Sequence, residues 1–404
     1  MMNDKPLRSL SLGANQTGGR IYNERLVLSL VRHQDGLPKA EIANLTGLSA
    51  QTISVIMQQL EADHLIVKGQ PKRGKVGQPR VPFSLNPEGA YSIGLKIGRH
   101  RSELVLMDFV GNIVNRQNIT YQYPATHELS AFVSITTPIL IKSLDENLRD
   151  RVVGIGIATP FELWNWGAEI GAPKAVMAAW KDFDIKQEMS TAAELPAFML
   201  NDATAACAAE LTFGNPQKYD NFLYIHIGYF IGGGVVLNGS VFSGPSGNAG
   251  ALAALPIRVK VTDSTEESYQ LVRDTSKISL QRMLEAAGQD ASIIWDTEGD
   301  WSVLGETLDI WLNRLAEGLA FAITSATAII DFPAIVIDGD LPIDIRQRIT
   351  ALVTQKLQSI DHQGLSPVTV TEGSLARNAR LIGGASLPLL ANFSRDRDVA
   401  FGGL

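Results

Sequence analysis

Two helical periodicities separated by one glycine turn constrain this chain more than any other feature. In residues 38–61, PKAEIANLTGLSAQTISVIMQQLE, a helix opens at Pro38 and runs through Ile42, Ala43 and Leu45. Gly47 makes the turn and Ser49 caps the next helix. Proline suits a first helical position because its missing N–H has no intrahelical partner there. A serine hydroxyl at the cap accepts one of the orphan N–H groups. In the second helix Ile53, Ile56, Met57 and Leu60 recur at i, i+3, i+4 and i+7, which makes them the buried stripe. Upstream, Leu26, Val27, Leu30 and Val31 mark one face of a further helix over 23–32. Three helices in this order predict a helix-turn-helix, whose second helix enters a DNA major groove. The face left over carries Gln51, Thr52, Ser54, Val55 and Gln58. Gln51, Thr52 and Ser54 are the candidate base readers, since short polar groups hydrogen-bond base edges. An ordinary solvated helix face is the alternative.

Ile66-Val67-Lys68 then starts a strand, and Val81, Phe83 and Leu85 alternate as its return. Between them lies a loop broken by Gly and Pro that carries Lys72, Arg73, Lys75 and Arg80. This is the layout of a winged helix, with the wing cations set to touch phosphates or enter a minor groove. A flexible solvated linker is the alternative. Asn86-Pro87-Glu88-Gly89 reads as a hinge to the next domain. Charge follows the same division. Residues 1–82 hold 11 Lys/Arg against 6 Asp/Glu, a net +5, whereas the rest holds 24 against 36, a net −12. A basic head on an acidic body fits a head that binds nucleic acid.

At 404 residues the chain calls for two or three domains. No apolar run is long enough to span a membrane, and the polar N-terminus does not read as a secretory signal. The single cysteine, Cys207, excludes an internal disulfide and any zinc site built on two cysteines of this chain. A cytoplasmic protein is expected.

From Ala90 the pattern changes. Residues 91–98 form an apolar, β-branched strand, 103–108 a second, and Gly111-Asn112 turns into a third. VVGIGIAT (152–159) is a buried strand, and 197–200 is another that ends at Asn201-Asp202 before an Ala-rich helix over 203–211. The second half repeats the strand–strand opening at 221–227 and 234–237, followed by a long apolar helix near 304–330 and a strand at 334–337. This is a duplicated α/β pattern with a cleft between two lobes. Single side chains read more plainly: His226 and Cys207 as packed core, and Trp164 and Trp166 as sugar-stacking rings or surface packing.

The motifs GKVGQPRVPFSLNP, GIGIATP, NDATAACAAE, IGGGVVLNGSVFSGPSGNAG and IVIDGDL together resemble the ROK family (repressor, open reading frame, kinase). The resemblance covers nearly the whole chain, to the helix at Gly383-Gly384-Ala385. It implies a winged helix-turn-helix followed by a two-lobed, actin-like sugar-kinase body. It also implies a sugar site with Asn201 binding the sugar and Asp202 in the place of the catalytic acid. An N-cap for helix 203–211 is the other reading of Asp202.

The chain departs from the kinase pattern at several points. Where kinase members carry Asp-x-Gly-Gly-Thr to hold Mg²⁺ and phosphate, this chain has Lys96-Ile97-Gly98-Arg99-His100. Lys96 and Arg99 either attract an anion or simply lie exposed at a strand end. The Gly-Thr-Gly phosphate loop is replaced by Gly228-Tyr229-Phe230-Ile231-Gly232. Asp338-Gly339-Asp340 stands where a Gly-Gly is usual, and its two carboxylates are expected to repel a triphosphate. The Glu-x-Gly-His sugar clamp falls at Ala251-Leu252-Ala253-Ala254, and the usual zinc loop at 255–270 has neither Cys nor His. Losing two strong sugar partners costs roughly 2–5 kcal/mol, so the effector is not expected to be a glucose-like hexose held in the family manner.

The expected organisation is a flexible tail over 1–19, a winged helix-turn-helix over 20–86 and the body over 87–404. The lobes lie near 87–205 with the C-terminal helix, and near 206–380. The expected function is a sequence-specific transcription regulator of carbohydrate-related genes with a catalytically inactive, ligand-sensing body. Its partners are a double-stranded operator and a sugar or derivative bound at Asn201 and Asp202, with no cofactor and no metal. A homodimer or dimer of dimers is expected, because two-fold operators mirror protein symmetry. The alternative is an active sugar kinase with an attached head, supported by Asp202.

Overall fold

The computed structural model describes residues 16–71, 80–160, 163–166, 171–215, 217–262 and 265–394, and all that follows concerns these. The head comprises α1 (Gln16–His33), β1 (Leu37–Pro38), α2 (Lys39–Thr46), α3 (Ala50–Ala62), β2 (Ile66–Lys68) and β3 (Pro82–Leu85). Most of the expected apolar stripe forms its core: Val27, Val31, Ile42, Ile53, Met57 and Leu60 are all but fully buried, Leu28 joins them unexpectedly, and Leu26 and Leu30 are only half-buried. Gly47 ends α2 at φ 69°, a left-handed conformation that glycine adopts at no steric cost. The strands form one sheet in the order β1-β3-β2. β1 had no sequence signature. Leu37 pairs with Phe83 and Pro38 with Pro82, so Pro38 is the last strand residue and helix α2 begins one residue later than expected.

The body divides between two compact units, 1–202 with 381–404 and 203–380, the head belonging to the first. The first unit continues with β4 (Tyr91–Lys96), β5 (Arg101–Asp108), β6 (Ile113–Thr120), α4 (Thr126–Lys142), β7 (Val152–Thr159), α5 (Lys174–Ala178), α6 (Ile185–Ala193) and β8 (Ala197–Asn201). Its sheet runs β6-β5-β4-β7-β8, antiparallel through β6, β5 and β4 and parallel through β4, β7 and β8.

Helix α7 (Asp202–Phe213) leads into the second unit. There follow β9 (Phe222–Ile227), β10 (Ile231–Leu237), β11 (Ser240–Phe242), β12 (Pro256–Thr262), β13 (Thr265–Gln270), α8 (Val272–Thr275) and α9 (Lys277–Ala286). Then come α10 (Gly305–Ile330), β14 (Ala334–Gly339), α11 (Ile343–Gln358) and β15 (Thr369–Glu372). The main sheet, β11-β10-β9-β14-β15, repeats the connectivity and strand directions of the first. The glycines of β10 let α7 lie close: a Cβ on Gly234 would meet Cys207 Cβ at 2.4 Å, and one on Gly232 would meet Ala203 Cβ at 2.6 Å. IGGG is thus a packing motif. The stretch expected to replace a zinc loop is the hairpin β12–β13.

The last helix, α12 (Ala379–Phe393), lies directly on the first unit's sheet. A Cβ on Gly156 of β7 would stand 1.9 Å from the Gly384 carbonyl oxygen, and one on Gly94 of β4 2.6 Å from Ala385 Cβ. Ser92 Oγ donates to Ala385 O at 2.6 Å. Among the described residues no helix is long and apolar enough to cross a membrane.

Candidate nucleic-acid interface and effector site

The N-terminus of α3 is built as its sequence predicts. Ser49 Oγ accepts the Thr52 N–H at 3.1 Å, and the two hydroxyls lie 2.9 Å apart. That contact commits the Thr52 side chain to the cap. Ser54 is half-buried, while Gln51, Val55 and Gln58 are exposed, so the solvent stripe of the helix is Gln51, Val55 and Gln58. Ile53, Ile56, Met57 and Leu60 face the core as expected. The acids near this stripe are occupied: Glu61 pairs with Lys68 at 2.6 Å and Asp63 accepts from Gln59 at 3.0 Å. Arg80 is exposed beside β3. Lys72, Arg73 and Lys75 lie outside the described residues.

The segment expected to be a hinge is a locked turn. Asn86 accepts the Glu88 N–H at 3.2 Å and donates to His64 O at 2.7 Å, and Phe109 N–H donates to Pro87 O at 3.0 Å. Three arginines bind the head to the body. Arg32 donates to Phe109 O at 2.8 Å and its guanidinium lies 4.8 Å from that ring's centroid. Burial pulls the Arg32 guanidinium down to about 10, with the nearby Asp108 carboxylate opposing. Arg25 donates to Asn392 O at 3.2 Å, and Arg151 to Asp63 O at 3.4 Å. The Phe109 ring meets Phe393 edge-on, centroids 4.9 Å apart.

In the body, Asn201 ends β8 and Thr159 ends β7, paired in register, and Asp202 opens α7. The acid therefore sits in the first turn of the helix, where a negative charge is favoured, and not at the preceding cap position. Ligands of α/β sheets bind outside such carboxyl ends. Trp164 is 37% exposed in a 3₁₀ turn shortly after β7.

The turn after β4 is closed on itself. Tyr121 Oη donates to Gly98 O at 2.7 Å and lies 2.7 Å from Ser102 Oγ, and burial pushes its hydroxyl up to about 12. Lys96 is not exposed: it is largely buried and stands 3.5 Å from Glu103, and Arg99 is buried as well.

The turn after β9 is engaged by the start of α9. Lys277 N–H donates to Gly228 O at 3.0 Å, Ile278 N–H to Tyr229 O at 3.2 Å, and Ile231 N–H to Ser276 Oγ at 2.9 Å. Tyr229 stacks on Trp295, centroids 5.6 Å apart at 18°. The buried Lys277 ammonium lies 4.6 Å from the Trp295 ring and 5.4 Å from Trp301, and donates to Asp340 O at 3.0 Å.

The two carboxylates at the end of β14 do not stand bare, which corrects the expected repulsion. Asp338 accepts from Tyr224 at 3.1 Å, Gly339 N–H at 2.9 Å and Arg346 at 3.3 Å. Asp340 pairs with Arg380 and lies 3.8 Å from His226 Nε2. His226 is therefore buried among polar groups as well as packed. Burial lifts the Asp338 carboxyl to about 6; the Gly339 N–H and Arg346 pull down, and Glu210 pushes further up. Sequence reading missed Glu210, which is fully buried and accepts from Ser374 N–H at 3.0 Å and Asn215 N–H at 2.9 Å.

Comparison with known proteins divides the chain in the same way. The ROK family model matches residues 92–261, and a winged helix-turn-helix DNA-binding model matches residues 22–67. The chain is 26% identical over 374 residues to the protein y4fQ of Sinorhizobium fredii, covering 92% of this chain and 91% of that one. It is 26% identical over 250 residues to the xylose repressor of Bacillus subtilis, covering 60% of this chain and 62% of the repressor. Among solved structures, a ROK family transcriptional regulator described as a homolog of the E. coli MLC protein superposes with a TM-score of 0.67. That match has 20% identity and covers 95% of this chain and 99% of that one.

Proposed function

This chain belongs to the ROK family, as a member whose body follows a winged helix-turn-helix, and from that premise we propose a sequence-specific DNA-binding repressor of carbohydrate-related genes that senses a small molecule through its body. The observation that carries the reading is the α2–Gly47–α3 unit, which holds a capped helix with its Gln51 end exposed above a fully packed core. Gln51 is the foremost candidate reader among Gln51, Thr52 and Ser54, and Arg80 supplies charge beside the wing. The repressor works as a dimer on a two-fold operator, in the cytoplasm where such operators lie.

The body is proposed to be catalytically inactive. Phosphoryl transfer depends on positioning and on neutralising charge at the phosphates. In this chain the turn after β4 is tied down by Tyr121, and the turn after β9 is covered by Tyr229, Trp295 and Lys277. Neither turn offers the small, open backbone that a phosphate needs. The hairpin region 255–270 contains no Cys or His to hold zinc.

The effector is a sugar or sugar derivative met by Asn201 and Asp202, a reading supported by relatives named xylose repressors. Residues 251–254 are Ala-Leu-Ala-Ala where the family's kinases carry a polar sugar clamp, so a glucose-like hexose held in the family manner is not proposed.

Selection of genomic fragments by the purified protein at near-physiological salt tests the reading. One enriched two-fold motif is expected, and enrichment no better than random DNA would reject it. Asp202 favours a second reading, an active sugar kinase. An ADP-release assay over a sugar panel is expected to stay at background, and turnover with any sugar would establish the kinase.

A further inference from the structure

The solvent stripe of α3 holds a side chain that polar recognition does not explain. Val55 is 56% exposed, one helical turn from Gln51 and three residues before Gln58, which are both exposed too. Residues four apart on a helix are neighbours on one face. The amides of Gln51 and Gln58 form no hydrogen bond with the described residues, whereas the Gln59 amide is held by Asp63 at 3.0 Å. The stripe is therefore one branched apolar group between two uncommitted amides, on a helix whose opposite face is the core. The basic balance of residues 1–82 suits it to a polyanion.

We infer that Val55 is a specificity-determining residue that reads a thymine by its C5-methyl group in the major groove, beside the base read by Gln51. In that groove thymine alone presents a methyl group, while adenine offers the donor–acceptor pair that a glutamine amide matches. A β-branched side chain has few rotamers to lose on contact, so a small apolar contact is not offset by ordering. The operator half-site thus contains adjacent thymine and adenine positions, one answering Val55 and one answering Gln51. This rests on the DNA-binding reading above and extends it to a residue and a base.

Uracil lacks only the methyl group, so replacing thymines one at a time in the selected operator isolates the contact. For the full-length protein we expect one thymine per half-site at which uracil weakens binding roughly fourfold, the worth of one buried methyl group. Val55→Ala should bind the thymine and uracil duplexes alike at that position while keeping its response to changes at the Gln51 base. If every thymine tolerates uracil in the wild type, the inference is overturned with no variant needed. It is also overturned if Val55→Ala keeps the full thymine preference, or if its only effect is on oligomeric state. Failure to select any motif would instead reject the DNA-binding reading itself, so the two failures are distinguishable.

Discussion

Asp338 shows how a single buried group sets a pH dependence. Its carboxyl is lifted to about 6 in the folded protein by burial, against an ordinary value of 3.8. The native state therefore binds this proton more tightly than the unfolded chain does. The gain in stability appears as pH falls through 6 and is complete below 3.8; above 6 the buried charge is a burden. Asn at this position cannot titrate. Thermal unfolding at pH 7 and pH 5 should show the wild type gaining on Asp338→Asn as the pH is lowered. A wild type that gains nothing over this range would mean that Arg346 holds the carboxylate charged. Nothing in the sequence announces this residue's surroundings. Tyr224 and Arg346 reach it from another strand and from a helix, and Glu210 meets Ser374 from 164 positions away.

At the level of elements, legibility follows locality. Helix α3 could be read to its cap because Ser49 and its partner Thr52 are three residues apart and the apolar stripe is continuous. Strands β7 and β14 declare themselves as short apolar runs rich in Ile and Val. By contrast, β1 exists only because Phe83 and Pro82 lie opposite it, and the locked turn at Asn86 depends on His64 and Phe109. Of the two readings of Lys96, exposure at a strand end fails for the same reason, since Glu103 comes from the neighbouring strand. The exposure of Gln51 could be read from periodicity alone, whereas the contact of Thr52 with the Ser49 cap required the geometry. Packing of α12 on β4 and β7 gives the sharpest element-scale expectation. Gly156→Ala drives a methyl group into the Gly384 carbonyl, so the helix must move or the strand must bend. We expect a destabilisation of about 3 kcal/mol or more, read as a fall in the denaturant midpoint. An effect within about 0.5 kcal/mol would mean that α12 does not lie on the sheet as described.

For the whole molecule, the joint at Arg32 matters most. A flexible tether would let each reading head find its half-site independently of its body. Here the head is fastened instead by Arg25, Arg32 and Arg151 and by a turn that is pinned at both ends. In the proposed dimer, the distance and the rotational phase between two heads would then be fixed, as in a gauge cut to one length. One base pair inserted at the operator centre turns the half-sites by roughly a tenth of a revolution. Wild-type binding should fall on the order of tenfold or more, equivalent to about 1.4 kcal/mol of mismatch. Arg32→Ala removes both the hydrogen bond and the ring contact, so it should bind the lengthened site nearly as well as the original. Equal tolerance of both spacings by the wild type would show that the joint yields. A gauge of this kind makes operator spacing as much a part of the recognised message as the bases themselves, and leaves the body's conformation as the one dial by which a small molecule could change it.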